Sequence, residues 1–184
     1  ERLRDDKEMV LLAMPAANDT YAVVRHMSQR LRSNKEVVLA AVRYNADVLK
    51  DVDPRFRDDA DVIRACMAER TRWGKTYIAG GAYQYFGEEF RTDRAVTLTM
   101  SRGARFPLQA VPEALRSDPE IVRNAVGAAE HNFEHVPAVL RADLDFVRSL
   151  YQANAGVLTY MDDALKQRLF TTTISTDAHR GRHL

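Results

Sequence analysis

His131-Asn132-Phe133-Glu134-His135 places two imidazoles four residues apart with a carboxylate between them. On an α-helix, residues at i and i+4 share a face, so the two histidines could hold one zinc ion and the glutamate could serve as general base. This is the H-x-x-E-H arrangement of certain zinc hydrolases. That chemistry needs a further downstream glutamate ligand, and no Glu follows position 134. The reading without chemistry is a solvated helix face in which Phe133 points into a core. A metal hydrolase built on His131, Glu134 and His135 is kept as an alternative, but no catalytic residue, metal ligand or cofactor is assigned.

Gly74-Lys75-Thr76 has the look of a phosphate loop, yet a Walker loop also needs a glycine five residues before the Gly-Lys pair, and that position is Glu69. Arg64, Arg123 and Arg148 recur at one register, joined by Arg43 and Arg102 at a second. Stacked helices would align them into a basic ladder able to grip RNA or a phospho-ligand. Asp61, Glu120 and Asp145 stand three residues before the first set, the spacing of an intrahelical ion pair, so the ladder is expected to be largely self-neutralised. Trp73, Tyr77 and Tyr85 lie among Gly74, Gly80, Gly81 and Gly87, a combination suited to a protein contact. The candidate binding residues are therefore Trp73, Tyr77, Tyr85, Arg64, Arg123 and Arg148. The alternative for the aromatics is a longer helix or loop whose rings seal a joint, with Tyr83 and Phe86 in the core.

The elements that must position these residues come from a repeat. A tetrapeptide Leu/Phe-Arg-x-Asp/Asn starts at Leu3, Leu31, Phe56, Phe90, Leu115 and Leu140, spaced 28, 25, 34, 25 and 25 positions. Such a period marks one small unit stacked many times. With the Leu/Phe as position zero, apolar residues recur at offsets 6, 7, 10 and 11, for example Val37, Val38, Ala41 and Val42, or Ile121, Val122, Ala125 and Val126. That spacing puts them on one stripe of a helix. The fourth unit is weaker, with Val96, Thr97, Met100 and Ser101. The Asp or Asn of the tetrapeptide is placed to cap this helix. The Arg before it is expected to brace the carbonyls that end the preceding helix. A second, shorter helix follows, with core positions such as Leu49 and Val52, Leu108 and Val111, or Phe133 and Val136. Proline soon after it ends the unit. No β-alternation competes.

The segments Lys35-Glu36-Val37-Val38-Leu39-Ala40-Ala41-Val42 and Asp5-Asp6-Lys7-Glu8-Met9-Val10-Leu11-Leu12-Ala13 resemble the core of a tandem α-helical repeat domain of unknown function. Its core runs roughly Asp-Lys-Glu-Val-Val-Leu-Ala-Ala-Val, followed by a short Asn-containing helix that Asn45 and Asn154 match. The resemblance spans most of residues 1–170 and implies helical hairpins without catalytic residues.

Composition sets the remaining bounds. The chain of 184 residues has 27 basic and 26 acidic residues, so no strong field recruits nucleic acid or an anionic membrane. The single cysteine, Cys66, excludes an intrachain disulfide and falls on a core position. No apolar run is long enough for a membrane span. The expected fold is all-α: a solenoid-like stack of about six short helical hairpins with a 25-residue period over residues 1–170, an insert at about 70–89 and a polar tail at 171–184. The expected function is a non-catalytic interaction or scaffold module, intracellular and cut from a longer protein, that holds another protein or another domain of its own chain.

Overall fold

In the computed structural model, residues 5–16, 20–72 and 75–180 are described, and most of them are helical. The long helices are α1 (Lys7–Ala16), α4 (Lys35–Tyr44), α5 (Ala60–Met67), α7 (Arg94–Ser101), α9 (Pro119–Ala128), α11 (Leu144–Ala153) and α12 (Asp163–Arg180). Between them lie α2 (Thr20–His26) and the short turns α3 (Gln29–Arg32), α6 (Glu88–Thr92), α8 (Glu113–Arg116) and α10 (Ala138–Ala142). Further 3₁₀ segments run over Ala46–Lys50, Pro54–Asp58, Gly80–Tyr85, Leu108–Ala110, Glu130–His135 and Ala155–Tyr160.

The long helices start where the sequence says they should. Asn34, Asp59, Asp93, Asp118 and Asp143 each accept two backbone amides of the helix that follows, which satisfies donors no intrahelical carbonyl can reach. Their apolar stripes are buried: Val37, Val38, Ala41 and Val42 on α4; Val62, Ile63 and Cys66 on α5; Ile121, Val122, Ala125 and Val126 on α9; Phe146, Val147 and Leu150 on α11. On α7 the stripe includes Thr97 and Ser101, both buried and both hydrogen-bonded. Thr97 Oγ1 lies 3.0 Å from the Tyr83 hydroxyl, and Ser101 Oγ donates to Leu98 O at 2.8 Å. The weak fourth pattern is therefore a polar patch with its bonds made, since burying a hydroxyl without a partner costs free energy.

Successive long helices touch one another in chain order, α1 to α4 to α5 to α7 to α9 to α11 to α12. A second row of contacts joins α2 to Ala46–Lys50, Ala46–Lys50 to Gly80–Tyr85, and Leu108–Ala110 to Glu130–His135 to Ala155–Tyr160.

Three expectations change. From Ala46 onward the expected second helices are 3₁₀ rather than α, because segments of three to six residues suit the tighter turn. The tetrapeptides at 31, 90, 115 and 140 themselves form helical turns of four or five residues, α3, α6, α8 and α10, too short to leave a periodic signal. The insert contains a two-stranded antiparallel ribbon, β1 (Arg70–Arg72) with β2 (Lys75–Tyr77), where no strand was expected. The last helix, α12, runs to Arg180, since no Gly or Pro interrupts 162–180.

Candidate functional site

Fold and candidate site meet at the insert. Beyond β2, the chain reaches Gly80 and crosses the backbone at Gly103. A Cβ on Gly80 would lie 2.6 Å from Gly103 O, and one on Gly103 would lie 2.6 Å from Gly80 N and 2.7 Å from its Cα. Neither glycine has positive φ, so what requires glycine is the close approach of two backbones. The crossing is tied by Ala104 N donating to Ile78 O at 3.0 Å and Gly81 N donating to Ala104 O at 3.1 Å. Arg105, just beyond, holds φ 59°, and its guanidinium pairs with Asp47.

Tyr83 is fully buried beside this crossing, 4.9 Å from the Phe106 ring and 5.9 Å from Phe86. Its hydroxyl donates to Arg91 O at 2.9 Å, and burial raises its pKa above the ordinary phenol value. Tyr83 and Phe86 take the core roles expected of them. Tyr77 and Tyr85 are half-buried, with Tyr85 packed on the core. Trp73 lies outside the described residues, as do Gly74 and the start of the first tetrapeptide, Leu3 and Arg4.

Arg64, Arg123 and Arg148 sit on α5, α9 and α11. Arg64 pairs with Asp61 at 3.1 Å and Arg148 with Asp145 at 2.7 Å, the intrahelical pairs the spacing predicts. Arg123 departs from it: its guanidinium lies 5.5 Å from the centroid of the Phe146 ring on the next long helix. Glu120 instead receives Arg94 at 3.3 Å and Arg102 at 3.8 Å. Among the described residues, no hydrogen bond, ion pair or ring contact joins the three arginines to one another or to Tyr77 or Tyr85.

The His131–His135 segment has a different geometry from the one that zinc chemistry assumes. It is a 3₁₀ helix with three residues per turn, so positions 131 and 134 share a face rather than 131 and 135. Among the described residues no cluster of three His, Cys, Asp or Glu side chains has metal-holding geometry. The residue that matters there is Asn132, which is buried. Its amide donates to Phe106 O and Ala125 O, both at 2.9 Å, and its carbonyl accepts Leu108 N at 3.0 Å. Asn45 and Asn154 instead cap the 3₁₀ segments that follow them. Sequence reasoning singled out the histidines because titratable residues draw attention, and passed over the amide between them.

The strongest electrostatics join neighbouring helices. Lys35, first residue of α4, reaches Asp59 at 2.8 Å and Asp61 at 2.9 Å. Those two carboxylates hold its pKa up, and it holds theirs below the usual carboxylate range. Arg94, first residue of α7, reaches Asp118 at 2.7 Å. Partial burial pushes the Asp118 carboxyl up, but Arg94 and the amides of Glu120 and Ile121 outweigh this and leave it lowered. Lys7 pairs with Glu36 in the same manner. The tetrapeptide arginines divide. Arg32 donates to Met27 O and Arg116 to Val111 O, the expected brace. Arg57 and Arg91 bury their Nε atoms without a partner, so the brace is not general.

The model of a family described as a domain of unknown function, DUF4116, matches residues 20–67, the stretch from the start of α2 to the end of α5. No curated protein and no solved structure matches the chain.

Proposed function

We propose, starting from that partial match, that the chain is a non-catalytic helical-repeat module: a solenoid-like stack of about six units with a 25-residue period that holds a partner protein. The observation that carries the reading is the return of one arrangement. Asn34, Asp59, Asp93, Asp118 and Asp143 cap successive helices in the same way, and where the first helical residue is basic it reaches the acids of the helix ahead. One unit cannot cover its own apolar face, but a stack can, and stacks present extended surfaces to proteins. The insert of residues 70–89, with Trp73, Tyr77 and Tyr85, is the place where the period breaks and a partner gains a distinctive contact. The ion pairs of Arg64 and Arg148 argue against the alternative of RNA or phospho-ligand binding.

Two measurements test this. Excising residues 115–139, one full period, rejoins matching registers and should leave a cooperatively folding chain, whereas excising 115–134 should not. Equal damage from both would overturn the repeat. Partner capture by the chain should fall when Trp73→Ala and Tyr77→Ala are combined, and unchanged capture removes the insert from the binding surface. A labelled single-stranded oligonucleotide should show no steeply salt-dependent binding; if it does, the arginine ladder becomes the better reading.

A further inference from the structure

Helix α1 leaves open two positions that the later long helices cover. Met9 and Ala13 are exposed, whereas their counterparts are buried: Val37 and Ala41, Val62 and Cys66, Ile121 and Ala125, Phe146 and Leu150. Beside them Leu12 is 70% exposed and Met9 itself 47%. Together α1 and α2 form an apolar cavity of about 380 Å³, walled by Met9, Val10, Ala13, Val23, His26 and Met27. Elsewhere this register meets the preceding unit. Asn132, which like Val23 stands eight residues ahead of the next tetrapeptide, reaches back to Phe106 and Leu108. The open face therefore continues a stacking interface already present within the chain. Its two methionines can adapt to an incoming side chain.

Charge indicates what would cover it. Inside the chain, the base that begins one helix engages the cap acid or first-turn acid of the next: Lys7 with Glu36, Lys35 with Asp59 and Asp61, Arg94 with Asp118 and Glu120. At the same register α1 carries Asp6 and Glu8, exposed and, among the described residues, without an ion pair. A second copy meeting it face to face would set these acids against themselves, and like charges at close range repel. Its own helix-starting bases are already engaged.

We propose that this face docks an amphipathic helix of a partner protein, one that starts with Lys or Arg and presents an aliphatic stripe. The proposal rests on the repeat-stack reading, because it takes the contact of one unit on the next as the pattern for the partner. Helix-in-groove docking uses the same anchors at i, i+3 and i+4.

The probe is a synthetic peptide of residues 31–55, which carries α4 and Lys35. It is titrated into the full chain with ¹³C-labelled methionine methyls, reading Met9 and Met27 at the cavity and Met67 and Met161 as distant controls. The expected result is a saturable shift of Met9 and Met27 alone, with a dissociation constant on the order of 100 µM. A Lys35→Glu peptide should bind about 5-fold more weakly at low salt. Met9→Asp in the chain should abolish the shift of Met27 while Met67 and Met161 stay in place. No shift at millimolar peptide, or equal binding by the Lys35→Glu peptide, overturns the proposal. Shifts that grow with chain concentration alone assign the face to a second copy and overturn it too. A double-mutant cycle on Lys35 and Asp59 within the chain separates the two levels: coupling there without peptide binding sinks only the docking site, and absence of both removes the stack reading.

Discussion

Replacing Gly103 by Ala tests whether the backbone crossing holds the insert in place. The added methyl would sit 2.6 Å from Gly80 N, 2.7 Å from Gly80 Cα and 2.8 Å from Ile78 O, all main-chain atoms that no rotamer change can move. Carbon contacts relax near 3.5–4.0 Å, so the two segments must part by roughly 1 Å. That displacement strains the Ala104–Ile78 and Gly81–Ala104 hydrogen bonds, now 3.0 and 3.1 Å. Overpacking costs about 1–3 kcal/mol and each buried group left unpaired about 1–3 kcal/mol. A loss of about 3 kcal/mol is expected, a large share of a typical domain's stability. Gly127→Ala is the matched control: a Cβ there meets nothing within 4 Å, and the residue lies inside α9, so about 0.5–1 kcal/mol should be gained. Urea unfolding followed by circular dichroism reads both from the shift in midpoint at constant slope. If Gly103→Ala stays within about 0.5 kcal/mol of the parent, or Gly127→Ala loses as much, close backbone approach is not what glycine supplies there.

Asn132→Ala should cost about 3 kcal/mol, because it orphans Phe106 O and Leu108 N inside the protein and leaves Ala125 O only the Ala129 amide, whereas Asn45→Ala removes one cap bond and should cost about 1 kcal/mol; thermal unfolding ranks them. Tyr83→Phe keeps the ring but loses the hydroxyl shared by Thr97 and Arg91 O, so a fall of about 1 kcal/mol is expected in the same assay. Acid should weaken the fold with a definite sign. The carboxyls of Asp59, Asp61 and Asp118 are lowered in the native state, so their contribution is present above the ordinary carboxyl pKa of about 4 and is lost as pH falls through the native values. Melting temperature against pH should therefore drop below about pH 4, and less steeply in Asp118→Asn; a parallel curve for that variant would remove Asp118 from the account.

The long helices were legible because cap, stripe and first-turn acid all pointed the same way at Asn34, Asp59, Asp118 and Asp143. The 3₁₀ segments were legible as positions, such as Leu49 and Phe133, but not as a helix type, since five residues do not distinguish a period of 3.0 from one of 3.6. The ribbon of β1 and β2 left no alternation because only three residues of each strand pair. The partnering of Glu120 could not be read from spacing: Arg123 stands three residues away on its own helix, yet Arg94 from the neighbouring helix takes the carboxylate. Intrahelical rules see only one helix, and the competition is settled between two. The open face on α1 was visible only by comparing the burial of the same register across helices, which a sequence cannot supply.

The tie at Gly80 and Gly103 has a consequence for how this chain tolerates change. The ribbon of β1 and β2 is followed by a point fixed by main-chain bonds, where Gly81 N and Ala104 N tie the chain at Gly80 to the backbone beyond Gly103, so a change of length within the ribbon is absorbed before the chain continues. Closing a longer loop costs only about 0.6 kcal/mol per doubling. New peptide spliced between β1 and β2 is therefore expected to leave the rest of the molecule the same, which makes this the natural place to graft a tag without renegotiating the fold.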